Sequence, residues 1–485
     1  MPFKDLREFV SALDKAGELR RVEGADWDLE IGTLAELSYE REGPAFLFDG
    51  ITGYPRGYRI LTNAADTLRR ALLAVDLPMG LDSDAADQRY REKVASFKPV
   101  PPVKVKDGPI FENVFTGDQV NLWKFPTPRW HENDGGRYLG TGCAVVMRDP
   151  DTQKVHLSTY RVMVQDERTA GLYISPPHTG ATIRRKYWQK GESCPVAVLV
   201  GQEPALFLGA AAYFSHDKTI PRYDLIGHMR GAPVEVVYEE RTGLPIPASA
   251  EIVIAGEVPP PEVESRAEGP FGEWTGYYAS GARPEPVIRV GALYHRNDPI
   301  ILGVPPVKYR RSTAHFGIPT IKVKPLRDKL EQMGVEDVLD VWPLAVPGVT
   351  VVKIRQRYPG HAMKAGLAVS GEYIGRFVVV VDEDIDARDP EEVLWAIGTR
   401  CDPQESITVL KGCQSSPLDP RIPPEQKKRR DFTNSQAVID ACKPYHWYRD
   451  FPPTNVASPE LREKILKKWA PLFASGKSGN REKGE

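Results

Sequence analysis

Pro245-Ile-Pro-Ala-Ser-Ala-Glu-Ile-Val-Ile-Ala-Gly-Glu257 runs through a proline-rich link into Glu268-Gly-Pro-Phe-Gly-Glu273 and then Trp274-Thr-Gly-Tyr-Tyr278. The β-branched run at 250–254, bounded by proline and glycine, predicts a short strand. The hexapeptide predicts a turn. Residues 268 and 273 would not share a face of an undisturbed strand or helix. Gly269-Pro270 and Gly272 break regular structure, so the chain can fold both carboxylates into one space. Two carboxylates held close cannot both ionise cheaply, so one pKa rises and a protonated acid becomes available near neutrality. That suits proton delivery. A polar turn with both glutamates in water fits the spacing as well.

Outward from this stretch, residues from about 110 to 305 are a series of short β-rich runs. They fall at 142–148, 155–164, 195–201, 233–238, 250–254 and 286–295, with proline and glycine between them. This pattern predicts a barrel or sandwich rather than alternating βα units. Upstream, Phe3, Leu6, Phe9, Val10 and Leu13 recur at helical spacing and Gly17 follows, predicting a helix over 3–16. A second helix is expected over 64–76. The Lys/Pro-rich segment 98–109 predicts no regular structure and marks a boundary. After 305 the pattern alternates. Strands are expected at Thr320–Val323, Val349–Ile354 and Arg376–Val381, and helices at 325–333, 361–369 and 391–399, as in an α/β layer domain. A last helix is expected over Ser458–Phe473, followed by a solvated tail.

The chain has 485 residues with 64 basic and 66 acidic side chains, a net charge of −2, so no global field recruits nucleic acid or an anionic membrane. Five widely spaced cysteines without a CxxC read as reduced thiols of a cytoplasmic protein. No apolar run approaches the roughly 18 residues that span a bilayer, and the start lacks a secretory h-region. The 41 glycines and 44 prolines imply many turns. HExxH, GxSxG and GxGxxG are absent, and Gly476-Lys-Ser478 has Pro471 where a P-loop needs glycine.

Glu268-Gly-Pro-Phe-Gly-Glu-Trp-Thr-Gly-Tyr-Tyr278, after a Pro-Ala-x-Ala-Glu-Ile-Val-Ile strand, resembles the hallmark of UbiD-type decarboxylases. Asp5-Leu-Arg-Glu-Phe9, Ala16-Gly-Glu-Leu-Arg-Arg-Val22, Phe125-Pro-Thr-Pro-Arg-Trp-His131 and Tyr160-Arg161 are similar to the same family. So are Gly360-His-Ala-Met-Lys364, Val379-Val-Val-Asp-Glu-Asp-Ile385, Trp395-Ala-Ile-Gly-Thr-Arg-Cys-Asp-Pro403 and Ser416-Pro-Leu-Asp419. The resemblance covers about residues 3–450.

The resemblance implies an α/β multidomain protein. An N-terminal α/β domain would occupy 1–108, a central split β-barrel 109–305 and a C-terminal α/β domain 306–455, with a helix and disordered tail over 456–485. It implies a reversible, non-oxidative decarboxylase of an aromatic, heteroaromatic or other α,β-unsaturated acid, with prenylated FMN as cofactor and CO2 as product. A flavin prenyltransferase would supply the cofactor, and the chain would form a homo-oligomer, dimer or hexamer. A carboxylase of the same fold in a larger complex and a non-catalytic paralogue are the alternatives.

Position by position, the resemblance makes Arg161 the cofactor-contacting arginine, Glu268 its partner and Glu273 the proton donor. Thr159, Tyr160, Ile174, Ser175, Pro176, His178, Thr179 and Gly180 would surround the flavin and its phosphate, and Lys364 would reach the cleft from the C-terminal domain. His315, Phe316 and the loop Gly412-Cys-Gln-Ser-Ser416 are candidates for the substrate pocket. The family's metal site uses asparagine, histidine and glutamate. Here His156 replaces the asparagine, His178 matches the histidine, and Arg222 stands at the glutamate, which leaves the divalent and potassium ions without their standard ligands. Three readings follow. Arg222 contacts the phosphate directly, as a guanidinium can; or His156, His178 and Asp224 hold a manganese-like transition metal; or Arg222 faces solvent and a water fills the gap.

Overall fold

The computed structural model describes residues 3–176, 178–211, 219–308, 323–344, 348–370 and 375–470. The central sheet explains the short apolar runs. Cys194–Val200, Ile252–Val258 and Ala144–Arg148 lie side by side in it, antiparallel throughout. Along Cys194–Val200, residues 194, 196, 198 and 200 enter one hydrophobic core while Ala197 and Leu199 enter another. Ala144 and Val146 part from Val145 and Met147 in the same way. A strand covered on both faces has no polar side to show, so it reads as a nearly continuous apolar run.

The sheet has ten strands, and eight lie on one path running from Arg137–Gly140 through Arg161–Val164 and Thr169–Tyr173 to Val155–Ser158. Val155–Ser158 ends that path, whereas Arg161–Val164 is second from its other end. Yet only Thr159 and Tyr160 separate the two strands, and three residue steps span at most about 11 Å. The sheet therefore curls until its two ends nearly meet, a barrel split at residues 159–160. The expected single run over 155–164 is two strands for this reason.

The structure departs from the expected pattern at four further places. Helices Thr179–Gln189, Pro204–Ala210 and Arg222–Arg230 interrupt the β-rich region. The last two are short and strongly buried, so they lack the exposed face that makes a helix legible. Val103–Lys104 forms a short strand inside the 98–109 segment, where the amides of Val103 and Val105 donate to Val234 and Val236, so proline spacing left room for pairing. Ile300–Leu302 adds to the N-terminal sheet, parallel to Arg59–Thr62. Of the expected strand at Thr320–Val323, residues 320–322 lie outside the described residues and Val323 opens the helix Val323–Gln332.

The N-terminal layer places Leu19–Glu23, Ala45–Asp49 and Arg59–Thr62 in one sheet. Helix Leu6–Lys15, capped by Asp5, buries Leu6, Phe9, Val10 and Leu13. The C-terminal domain has a five-stranded sheet running Val338–Pro343, Val349–Ile354, Phe377–Asp382, Thr433–Asp440, Ile407–Gln414 with its own core. Among the described residues, Arg388 pairs with Asp84 and lies 3.7 Å from Asp87, and Lys427 Nζ donates to the Ala279 carbonyl at 2.6 Å, contacts that tie this domain to the rest. Among the described residues no helix is long and apolar enough to cross a membrane.

Candidate active site

Arg161 begins the strand at the barrel's split and faces Tyr173 across the ladder. Glu268 ends the strand Ser265–Glu268. Beyond it, Gly269–Gly272 carry the chain back so that Glu273 returns to the same space. Gly269 takes φ +87°, a left-handed conformation open to glycine at little cost.

The two carboxylates share one guanidinium. Arg161 Nε and Nη2 donate to the two oxygens of Glu268, both at 2.7 Å, and Nη1 donates to Glu273 Oε1. The guanidinium carbon lies 4.2 Å from the Tyr173 ring centre and 5.1 Å from that of Phe271. Glu268 is 1% exposed and Glu273 7%. Burial pushes the Glu273 carboxyl up from its ordinary value; Glu268 pushes the same way, and Arg161 only partly offsets them. Burial also works against the charge on Arg161, but its hydrogen bonds to Glu268 and the charge of Glu273 keep the guanidinium above its ordinary value. The arrangement is a fixed cation, a carboxylate that orients it and an acid inclined to hold its proton. The expected trio is thus assembled, and the reading with both glutamates in water is overturned.

A second cluster lies at the split. His156 Nε2 is 2.9 Å from Tyr160 Oη, and that oxygen accepts the Gly180 amide at 3.1 Å. The Tyr160 ring is 6.0 Å from that of His178. His178 is the N-cap of the helix Thr179–Gln189 and makes no side-chain cap. A Cβ on Gly180 would come within 2.7 Å of Tyr160 Oη, so only glycine allows this approach. Ile174 and Ser175 are buried in the preceding loop, where Ser175 Oγ donates to Tyr173 Oη at 3.1 Å, and Pro176 is exposed. This helix start, whose Gly180 amide donates to Tyr160 Oη, lies beside imidazole and phenol groups, and its dipole favours an anion such as a phosphate.

Other candidates are dispersed. Arg222 opens the helix Arg222–Arg230, which packs near Val155–Ser158, and Asp224 lies in its first turn. Among the described residues no three His, Cys, Asp or Glu side chains gather as a metal-holding group, so His156, His178 and Asp224 do not form one. Lys364 donates to the Gly334 carbonyl at 2.6 Å within its own domain and is not among the residues gathered at Arg161. His315 and Phe316 lie outside the described residues. The 412–416 loop is tied down by Asp419, which accepts from Ser415 Oγ, Asn434 Nδ2 and Arg376.

The sequence reading missed two residues beside the trio. Asp134, in Glu132-Asn-Asp-Gly-Gly136, contacts both flanks of the Glu273 turn, although its sequence reads as an ordinary turn. Lys427 reaches Ala279 from the C-terminal domain, and burial lowers its pKa; in Lys427-Lys-Arg-Arg430 it looks like a solvated charge run.

Comparison with known proteins follows the same three segments. Residues 10–93, 102–309 and 318–441 match the N-terminal, Rift-related and C-terminal domains of 3-octaprenyl-4-hydroxybenzoate carboxy-lyase (UbiD). The chain is 30% identical to a phenolic acid decarboxylase of Bacillus subtilis over 92% of its length and 93% of the relative's. It is 32% identical to a pyrrole-2-carboxylic acid decarboxylase of Pseudomonas aeruginosa over 96% and 97%. An evolved dimeric form of the UbiD-class enzyme HmfF from Pelotomaculum thermopropionicum, solved with prFMN, superposes with a TM-score of 0.78 at 26% identity, covering 96% of this chain and all of that one.

Proposed function

The chain belongs to the UbiD family of carboxy-lyases, and from that premise we propose that it is a reversible non-oxidative decarboxylase of an aromatic, heteroaromatic or other α,β-unsaturated acid. The observation that carries this is the single buried guanidinium shared by Glu268 and Glu273. Prenylated FMN, when bound, supplies the electron sink that makes the bond to the leaving carboxyl group labile.

The protein's own residues divide the remaining work. Glu268 grips Arg161 through two parallel bonds, which fix the plane of the guanidinium. Arg161 in turn holds Glu273 at a defined place. Glu273, kept protonated more readily than an ordinary glutamate, gives its proton to the carbon from which CO2 has departed. Low exposure of all three side chains limits the access of competing water. For the cofactor phosphate, Tyr160, His156 and His178 supply side-chain donors at the start of the helix Thr179–Gln189, whose dipole favours an anion, and Thr159, Ile174, Ser175 and Pro176 supply the surrounding wall. We assign Arg222, at the start of a helix packed near Val155–Ser158, to the same phosphate as a direct cation in place of a metal. A flavin prenyltransferase is the expected source of the cofactor.

The test is co-production with a flavin prenyltransferase, then a screen for CO2 release from aromatic, heteroaromatic and acrylic acids. Glu273→Gln should lower turnover of any accepted acid by ~10²–10⁴ while flavin stays bound, since an amide cannot donate the proton. Near-normal turnover in that variant removes the donor assignment.

A further inference from the structure

We propose that Asp134 is a positioning residue that clamps the base of the turn carrying Glu273. This rests on the reading of Glu273 as proton donor. The turn runs from Glu273 to Tyr277, closed by the Glu273 amide on the Tyr277 carbonyl at 3.0 Å and the Gly276 amide on the Glu273 carbonyl at 2.8 Å. The residues flanking it are Gly272 and Tyr278. Asp134 Oδ1 accepts from both, from the Gly272 amide at 3.4 Å and the Tyr278 hydroxyl at 3.2 Å. Its Oδ2 accepts the His131 amide at 3.1 Å and lies 3.7 Å from His131 Nδ1.

The Asp134 side chain is fully buried. A buried carboxylate is costly unless hydrogen bonds compensate it, and two of the donors here come from either side of the donor turn. Neighbouring backbone shapes the same contact. The Gly135 amide donates to the Pro270 carbonyl at 2.8 Å, and a Cβ on Gly135 would sit 1.9 Å from the Gly269 carbonyl oxygen. Tyr138 Oη donates to the Pro270 carbonyl at 3.3 Å. Residues 131–138 are thus a seat for 269–278, and Asp134 is the buried acidic group in it.

The chemistry requires a carboxylate rather than an amide. Three donors converge on two oxygens, and a carboxylate accepts from all of them. Asparagine has one acceptor oxygen, so in either flip its NH2 meets at least one N–H or O–H donor head-on. The turn would then loosen at its base, and misplacement of a reacting group by about 1 Å costs on the order of 10²-fold in rate.

The experiment compares Asp134→Asn and Tyr278→Phe with wild type in the cofactor-loaded enzyme, on the acid found by the screen. Amide hydrogen exchange over 269–278 is measured on FMN-loaded protein in parallel. Asp134→Asn should lower kcat by about 10²-fold with KM within threefold and speed exchange at Gly272. Tyr278→Phe, which deletes one donor, should lower kcat by less and leave KM unchanged; it also serves if Asp134→Asn does not fold. Wild-type kcat in either variant overturns the proposal, as does a change that falls on KM alone. If Glu273→Gln itself stays active, the donor reading fails instead, and the exchange data still report whether Asp134 holds the turn.

Discussion

Replacing Arg161 with alanine takes three charge-assisted hydrogen bonds from two buried carboxylates. Counted singly at ~1.5–3 kcal/mol each, the bonds would suggest a loss above ~4 kcal/mol. That count overshoots, because carboxylates left behind take up protons or admit water. Breaking a buried pair by removing one partner costs ~3–5 kcal/mol, and that range fits a site with Glu268 1% and Glu273 7% exposed. For a transition of this domain's size it corresponds to a fall of ~6–20 °C in Tm. The loss has a pH signature. An uncompensated buried carboxylate is tolerated when protonated, so the deficit should be largest near pH 8 and shrink toward pH 5. Urea unfolding and thermal melts of wild type and Arg161→Ala, both without cofactor, measure it at the two pH values. Adding Glu268→Gln to Arg161→Ala should recover part of the loss. A deficit under ~1 kcal/mol, or one of equal size at both pH values, refutes the view that this guanidinium compensates two buried carboxyl groups.

The raised Glu273 carboxyl has consequences for rate and stability. As a general acid it works only when protonated, so kcat should fall on the alkaline side through a pKa above the ordinary 4.5, and a limb at or below that value contradicts the assignment. Because its folded pKa is raised, the stability tied to its protonation is present below the unfolded value and drains away as pH climbs through the folded one, a dependence that Glu273→Gln should lack. For the phosphate cluster, chelator-treated protein should bind FMN as tightly as untreated protein in a fluorescence titration, and Arg222→Glu should weaken binding until a divalent ion is added. Stoichiometric metal whose removal abolishes FMN binding would refute the role given to Arg222.

Much of this molecule is local and therefore legible. The helix over Leu6–Lys15 follows from apolar residues at helical spacing behind an Asp5 cap, and the C-terminal alternation is that of a layered domain. Arg161, Glu268 and Glu273 stand out through short motifs whose glycines and proline signal a special turn. What the sequence does not show is which distant residues meet. Arg161 and Glu268 are 107 positions apart, and Asp134 and Gly272 are 138 apart, so no periodicity links them. The break at Thr159-Tyr160 exists because a curled sheet brings its two ends within reach, a property of the strand order and not of those residues. The same holds for Ile300–Leu302, which leaves the barrel to pair with Arg59–Thr62. Residue pattern sets which side chains are buried and where the chain can turn. Closure of the sheet decides which buried carboxylates share one guanidinium, because only there does desolvation make their pairing obligatory.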